Sequence, residues 1–191
     1  MRNPFRKIAT GCVLAVAGMT SAAYAQAPAP AAPKSSVVVV SPTYTSIQME
    51  ITVNRPAEEV WKRIGKYCDV GEWLQVPAGC KIISDKDGEF GAIRSVGGGE
   101  VLVGRTELSY TYAQTPKEGT SYNLYHGTVE ARPLTSTTSK LVYTLFFDNS
   151  MLPDDTARAA DKEVRRARFM QALQNMKTLA EGGRLPPPAA K

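Results

Sequence analysis

Apolar and polar residues alternate over residues 45–53, with Ile47, Met49, Ile51 and Val53 set against Gln48, Glu50 and Thr52. Period two predicts a first strand buried on one face. A short β-branched run at 37–40 precedes it as an extra edge strand. Asn54-Arg55-Pro56 ends the strand, and Pro56 suits the first position of a helix, where its missing N–H costs nothing. The spacing then predicts a helix over 57–65 carrying Val60, Trp61 and Ile64 on one face. A shorter helix or turn follows over 69–74, pointing Trp73 and Leu74 inward, and Pro77-Ala78-Gly79 breaks it. From Cys80 onward the pattern changes to short apolar runs separated by turn residues. These predict strands at 80–84, 91–96, 100–105, 110–114, 121–131 and 140–148, paired antiparallel in succession. Asp85-Lys86-Asp87-Gly88 and Gly97-Gly98-Gly99 read as hairpin turns with glycine at positive φ. The glycine triplet is not a phosphate loop, because no Gly-Lys-Ser/Thr follows and no helix opens there. Asp154 or Asp155 then caps a long helix running to Glu181 and ended by Gly182-Gly183, with Phe169, Leu173, Met176 and Ala180 forming an apolar stripe. That stripe must bury itself, and the sheet is the only partner large enough.

The ends of the chain differ from this middle. Arg2, Arg6 and Lys7 precede an apolar run from Ile8 to Met19, and Ala23-Tyr24-Ala25 places small residues where a signal peptidase reads. Residues 1–25 are therefore expected to be a signal peptide cut between Ala25 and Gln26. The apolar run is too short to cross a bilayer, so the mature protein is expected to be periplasmic or secreted, without a transmembrane segment. Residues 26–36 form a Pro/Ala-rich linker, 37–181 the folded domain, and 182–191 a Pro-rich disordered tail.

Of 191 residues, 43% are hydrophobic and 21% charged, which excludes a wholly disordered chain. The charge is misleading until the leader is removed. Taking three basic and no acidic residues from 23 and 18 leaves 20 and 18, or +2. With no basic stripe interleaved with aromatics, nucleic-acid binding loses its electrostatic argument. The cluster Lys162, Arg165, Arg166 and Arg168 reads first as the solvated face of a helix.

Cleavage leaves Cys68 and Cys80. An even count in an oxidising compartment favours a disulfide, with two buried thiols as the other reading. No metal is expected, since His126 is the only histidine and a zinc site needs three or four ligands. The same scarcity argues against a Ser-His-Asp or Cys-His device, and no catalytic residue is assigned. No cofactor motif is present.

The segment ITVNRPAEEVWKRIGKYCDVGEW carries Pro56, Ala57, Glu58, Val60 and Trp61, then Trp73 twelve residues on. Together with GEFGAIRSVGGGEVLVGR, YHGTVEARP and LVYTLFFD, in that order, it resembles the SRPBCC superfamily, and within it the polyketide cyclase/dehydrase and START-like group. The resemblance spans nearly all of residues 45–181. It implies an α+β helix-grip fold, a seven-stranded antiparallel curved sheet wrapped on the long C-terminal helix. Between them it implies an apolar cavity for lipids, sterols, aromatic polyketides or similar molecules. The strand after the glycine turn departs from the pattern, with Gly104-Arg105 in place of the common Glu.

On that fold, Tyr143, Leu145 and Phe147 share an inward face, as do Tyr110 and Tyr112, while Tyr125 faces inward from the strand between. With Trp73, Phe169, Leu173 and Met176 they make the expected cavity, apolar with phenolic hydroxyls at intervals. Core packing is the plainer reading of each. Arg94, pointing inward, would hold a ligand carboxylate or phenolate, or pair with Glu100 or Glu107. His126 reads first as a surface or hydrogen-bonded strand residue facing away from Tyr125; for a cyclase-type relative, which the resemblance also allows, Arg94, His126 and the tyrosines are the candidate acid or base. Three functions follow: a carrier of a hydrophobic small molecule, a cyclase-type enzyme, or an accessory protein for a periplasmic partner. The carrier is preferred.

Overall fold

The computed structural model describes residues 41–187 apart from 85, 97 and 118. The expected signal peptide, linker and strand at 37–40, and the last residues of the tail, lie outside the described residues. Strand β1 (Tyr44–Val53) buries Ile47, Met49 and Val53 as its alternation requires. Helix α1 (Ala57–Ile64) follows, with Pro56 one position earlier than expected, as the N-cap whose carbonyl accepts from Val60 N at 3.0 Å. One turn of helix α2 (Val70–Trp73) buries Val70 and Trp73, while Leu74 is only half-buried.

The remaining strands are β2 (Lys81–Ile82), β3 (Ile93–Ser95), β4 (Gly99–Thr106), β5 (Ser109–Gln114), β6 (Asn123–Pro133) and β7 (Ser139–Asp148). They form one antiparallel sheet in the order β1-β7-β6-β5-β4-β3-β2, so the first strand closes on the last and the rest is a meander. Strands β2 and β3 are shorter than the sequence suggested; Gly91, at φ 84°, turns the chain ahead of β3 and delays its start to Ile93. Gly88 has the expected positive φ of 72°. Gly98 and Gly99 do not; a Cβ on Gly99 would lie 3.1 Å from Thr115 Oγ1, so close approach is the constraint there. Arg105 is exposed and donates to the Gly88 carbonyl, so the position that departs from the family pattern braces a hairpin.

Helix α3 (Asp155–Ala180) lies on the inner face of the sheet. Asp154 caps it, accepting from Ala157 N at 2.8 Å. At its other end the Glu181 carboxylate accepts from Asn54 N at 2.9 Å and Lys177 Nζ at 2.8 Å, fastening the helix to the turn after β1. The chain then turns back through Gly183 N to the Thr178 carbonyl, and Leu185, in the tail expected to be unpacked, is partly buried against the core. This is the expected helix grip: a seven-stranded sheet holding one long helix.

Cys68 and Cys80 are joined in a disulfide with a Cα–Cα distance of 5.4 Å. It ties the end of the helix pair to the start of the meander. Gly71 packs against it so closely that a Cβ would lie 2.8 Å from Cys80 N. Closing a loop of this size stabilises by up to about 3 kcal/mol on the chain-entropy model. The Cys68→Ser, Cys80→Ser double variant is therefore expected to lose about 2 kcal/mol in urea unfolding, and an unchanged midpoint would show the bridge to be dispensable.

Candidate functional site

The two halves of helix α3 have different surroundings. From Leu173 to Leu179 its stripe is buried against β1, α1 and α2, and Asn175 Nδ2 donates to the Trp73 carbonyl at 2.9 Å. From Asp161 to Phe169 the helix instead forms one wall of a cavity of about 540 Å³, whose other walls come from α2, β4, β5, β6 and β7.

The far wall is built by strand register. Tyr112 on β5 stands opposite Gly127 on β6, and Leu145 on β7 stands opposite Gly127 on its other side. Gly127 has no room for a side chain: a Cβ would meet Tyr112 Cζ and Oη at 2.4 Å. The glycine thus lets the Tyr112 ring lie across β6 and bring its hydroxyl to within 2.8 Å of Tyr143 Oη. Nearer the mouth β6 carries a bulge, in which Leu124 and Tyr125 together face Phe147. Leu124 sits at φ 50°, a left-handed conformation that L-residues seldom adopt. The bulge turns Tyr125 inward, where it stacks on Phe147 at 5.7 Å and meets Tyr122 at 5.1 Å.

Polar groups in this wall bond to one another. Arg94 is wholly buried and its Nε donates to Glu100 Oε2 at 2.7 Å. Gln114 Nε2 donates to Glu100 Oε1 at 3.2 Å, and Tyr122 Oη donates to Gln114 Oε1 at 2.9 Å. The chain Tyr122–Gln114–Glu100–Arg94 thus runs from the cavity into the core with every proton direction set. The Arg94 guanidinium also donates to the Tyr67 carbonyl and to Tyr110 Oη, and lies 4.2 Å from the Tyr67 ring centre and 4.8 Å from that of Tyr112. Across the cavity Arg165 is held on Asp161 by two hydrogen bonds of 2.8 and 3.1 Å. Its guanidinium covers Tyr122 at 4.4 Å and Phe147 at 4.6 Å.

Of the residues expected to line a site, Tyr112, Tyr125, Tyr143 and Phe169 are brought together on this cavity. Trp73, Leu145, Phe147, Leu173 and Met176 face inward but are packed core that does not line it. Tyr110 and Arg94 are not among the lining residues; Arg94 pairs with Glu100 through Nε, and its Nη2 is buried without a hydrogen-bond partner among the described residues. His126 lies off the cavity, its Nδ1 2.8 Å from the Leu124 carbonyl. Glu100, Gln114, Tyr122, Val164 and Arg165 line the cavity and were not expected to. Arg165 had a signal, since Asp161 precedes it and Phe169 follows it by one helical turn.

Burial pushes the phenols of Tyr67, Tyr110, Tyr112, Tyr125 and Tyr143 above the ordinary value of 10.0, with the cations Arg94 and Arg165 opposing this only in part. At neutral pH they are hydroxyls that donate and accept. A folded-state pKa raised above the unfolded value gives stability that is full below pH 10 and lost as pH climbs towards the folded value. Each such phenol removes about 1.4 kcal/mol per pH unit in that window. Absorbance at 295 nm and circular dichroism are expected to change together, these phenols ionising only as the fold is lost. Ionisation of every tyrosine near pH 10 with the fold intact would contradict the burial.

A family model described as polyketide cyclase/dehydrase and lipid transport matches residues 44–181. No curated protein matches the chain by sequence. Among solved structures, a protein of Thermobifida fusca is 20% identical, with a TM-score of 0.60 over 74% of this chain and 97% of that one. The Zhui aromatase/cyclase of Streptomyces sp. R1128 is 18% identical, with a TM-score of 0.55 over 74% and 99%. A truncated norcoclaurine synthase of Thalictrum flavum is 13% identical, with a TM-score of 0.59 over 78% and 100%. At these identities the likeness is one of fold, and it is the helix grip that they share. Taken with the model that matches most of its length, the chain belongs to the polyketide cyclase/dehydrase and lipid transport family.

Proposed function

We propose that this is an exported carrier that holds a hydrophobic small molecule in the cavity between the sheet and the first half of α3. The observation that carries the reading is the state of the cavity wall. It is lined by Tyr112, Tyr122, Tyr125, Tyr143 and Phe169, and its volume falls within the usual range for small-molecule sites. Its inner carboxylate, Glu100, is held on both oxygens by Arg94 and Gln114, which leaves it a structural counter-ion and not a free general base. The disulfide fits an oxidising compartment, and supports export by the leader at residues 1–25 with cleavage before Gln26.

The mature protein, isolated from its own periplasm, is expected to show a higher mass under native than under denaturing conditions, the difference being a non-covalent small molecule. Protein that is folded, empty and active on an added aromatic substrate would sink the carrier reading in favour of a cyclase-type enzyme.

A further inference from the structure

The charges around the cavity are unequal. Glu100 is neutralised from behind by Arg94, and Asp161 by Arg165. That leaves Lys117, on the chain after β5, and Arg168, on α3, both exposed and both lining the same cavity. Among the described residues neither is ion-paired, although Glu163 and Arg166 nearby do find each other at 3.6 Å. Arg165 adds a third cation, paired with Asp161, that this clamp and the rings beneath it hold in one place. Among the described residues, the cavity lining therefore carries two positive charges without an ion pair, one on the chain after β5 and one on α3, beside rings and neutral hydroxyls.

We propose that the ligand is an anionic amphiphile: one carboxylate, sulfonate or phosphate head held by Lys117 and Arg168, and a ring-bearing apolar body inside against Tyr125, Tyr143 and Phe169. The wall favours this on both counts. The exposed Lys117 ammonium and Arg168 guanidinium recognise an anion through charge-assisted hydrogen bonds. Further in, the lining offers rings, neutral hydroxyls and a Glu100 already paired with Arg94 and Gln114, which suits the apolar body and not the head. The inference rests on the cavity being a ligand site, and specifies the class of molecule it takes.

The test compares two probes with the same aromatic body, 8-anilinonaphthalene-1-sulfonate and uncharged N-phenyl-1-naphthylamine, by fluorescence titration. The protein is the mature chain, unfolded and refolded with its disulfide intact to release any bound molecule. The sulfonate is expected to bind about tenfold more tightly. In the Lys117→Gln, Arg168→Gln variant that preference should fall to about twofold or less, with the neutral probe unaffected. Val164→Trp, which places a large ring in the lining, should weaken both probes. Equal binding of the two probes, or a preference that survives the double variant, would overturn the inference while leaving the cavity a binding site. Sulfonate binding that survives Val164→Trp would place the anion elsewhere and overturn it too. Failure of both probes to bind the parent protein would instead count against the carrier reading itself.

Discussion

Replacing Arg94 with methionine is expected to lower the free energy of unfolding by about 3–5 kcal/mol, a large part of the total stability of a domain this size. The loss comes less from the missing contacts than from what stays behind. Glu100 is 5% exposed, and without Arg94 its Oε2 has no counter-ion in a wall made of rings. The buried pair itself contributes little net stability, because bringing both charges out of water costs about as much as their attraction returns. Arg94→Met combined with Glu100→Leu should therefore recover most of the loss, whereas each single change is severe. Urea unfolding of the two single variants and the double variant measures this directly. If the double variant were as unstable as the sum of the singles, Arg94 and Glu100 would be acting independently.

Gly127→Val should cost about 3 kcal/mol or more, and should also close the cavity. The new side chain would need the space that the Tyr112 ring occupies, since even a Cβ would lie 2.4 Å from its Cζ and Oη. A ring that is 2% exposed and wedged in the sheet can yield only towards the open space in front of it, breaking its 2.8 Å bond to Tyr143. Overpacking of this kind forces off-rotamer side chains and backbone shifts. Adding Tyr112→Leu to Gly127→Val removes the clash and should restore stability. Calorimetry of the two variants separates this account from a simple loss of strand propensity at position 127, which Tyr112→Leu would not rescue.

The two predictions mark where the sequence was readable. Period-two runs such as those of β1 and β7 determine which side chains face inward, because a one-residue slip in register would expose the whole set. Inward direction is not the same as lining a cavity. Leu145 and Phe147 share a face with Tyr143, but only Tyr143 meets open space, since the others are covered by α3 or by neighbouring rings. Leu173 and Met176 lie on the same stripe as Phe169 and differ only in position along the helix axis, at the end where α1 and α2 fill the gap. Alternation along one segment carries no information about which distant segment stands opposite. The same limit hid Tyr122 and Gln114, which meet only because β5 and β6 are joined by a turn that folds their ends together. Arg94 shows the reverse case, a side chain whose two possible roles were legible but whose choice between ligand and Glu100 depended on the register Arg94↔Glu100 across the β3–β4 hairpin.

A ligand inside the cavity must change the surroundings of backbone amides on both of its walls at once. The most direct measurement is an amide proton–nitrogen correlation spectrum of the labelled mature protein, before and after adding a small-molecule extract of its own cells. The account predicts shifts concentrated at Tyr112, at the Leu124–Tyr125 bulge and along α3 from Val164 to Phe169, with little change at Leu173 and Met176. A spectrum that does not respond, or that shifts only on the outer face around the exposed Tyr44 and Phe146, would contradict it.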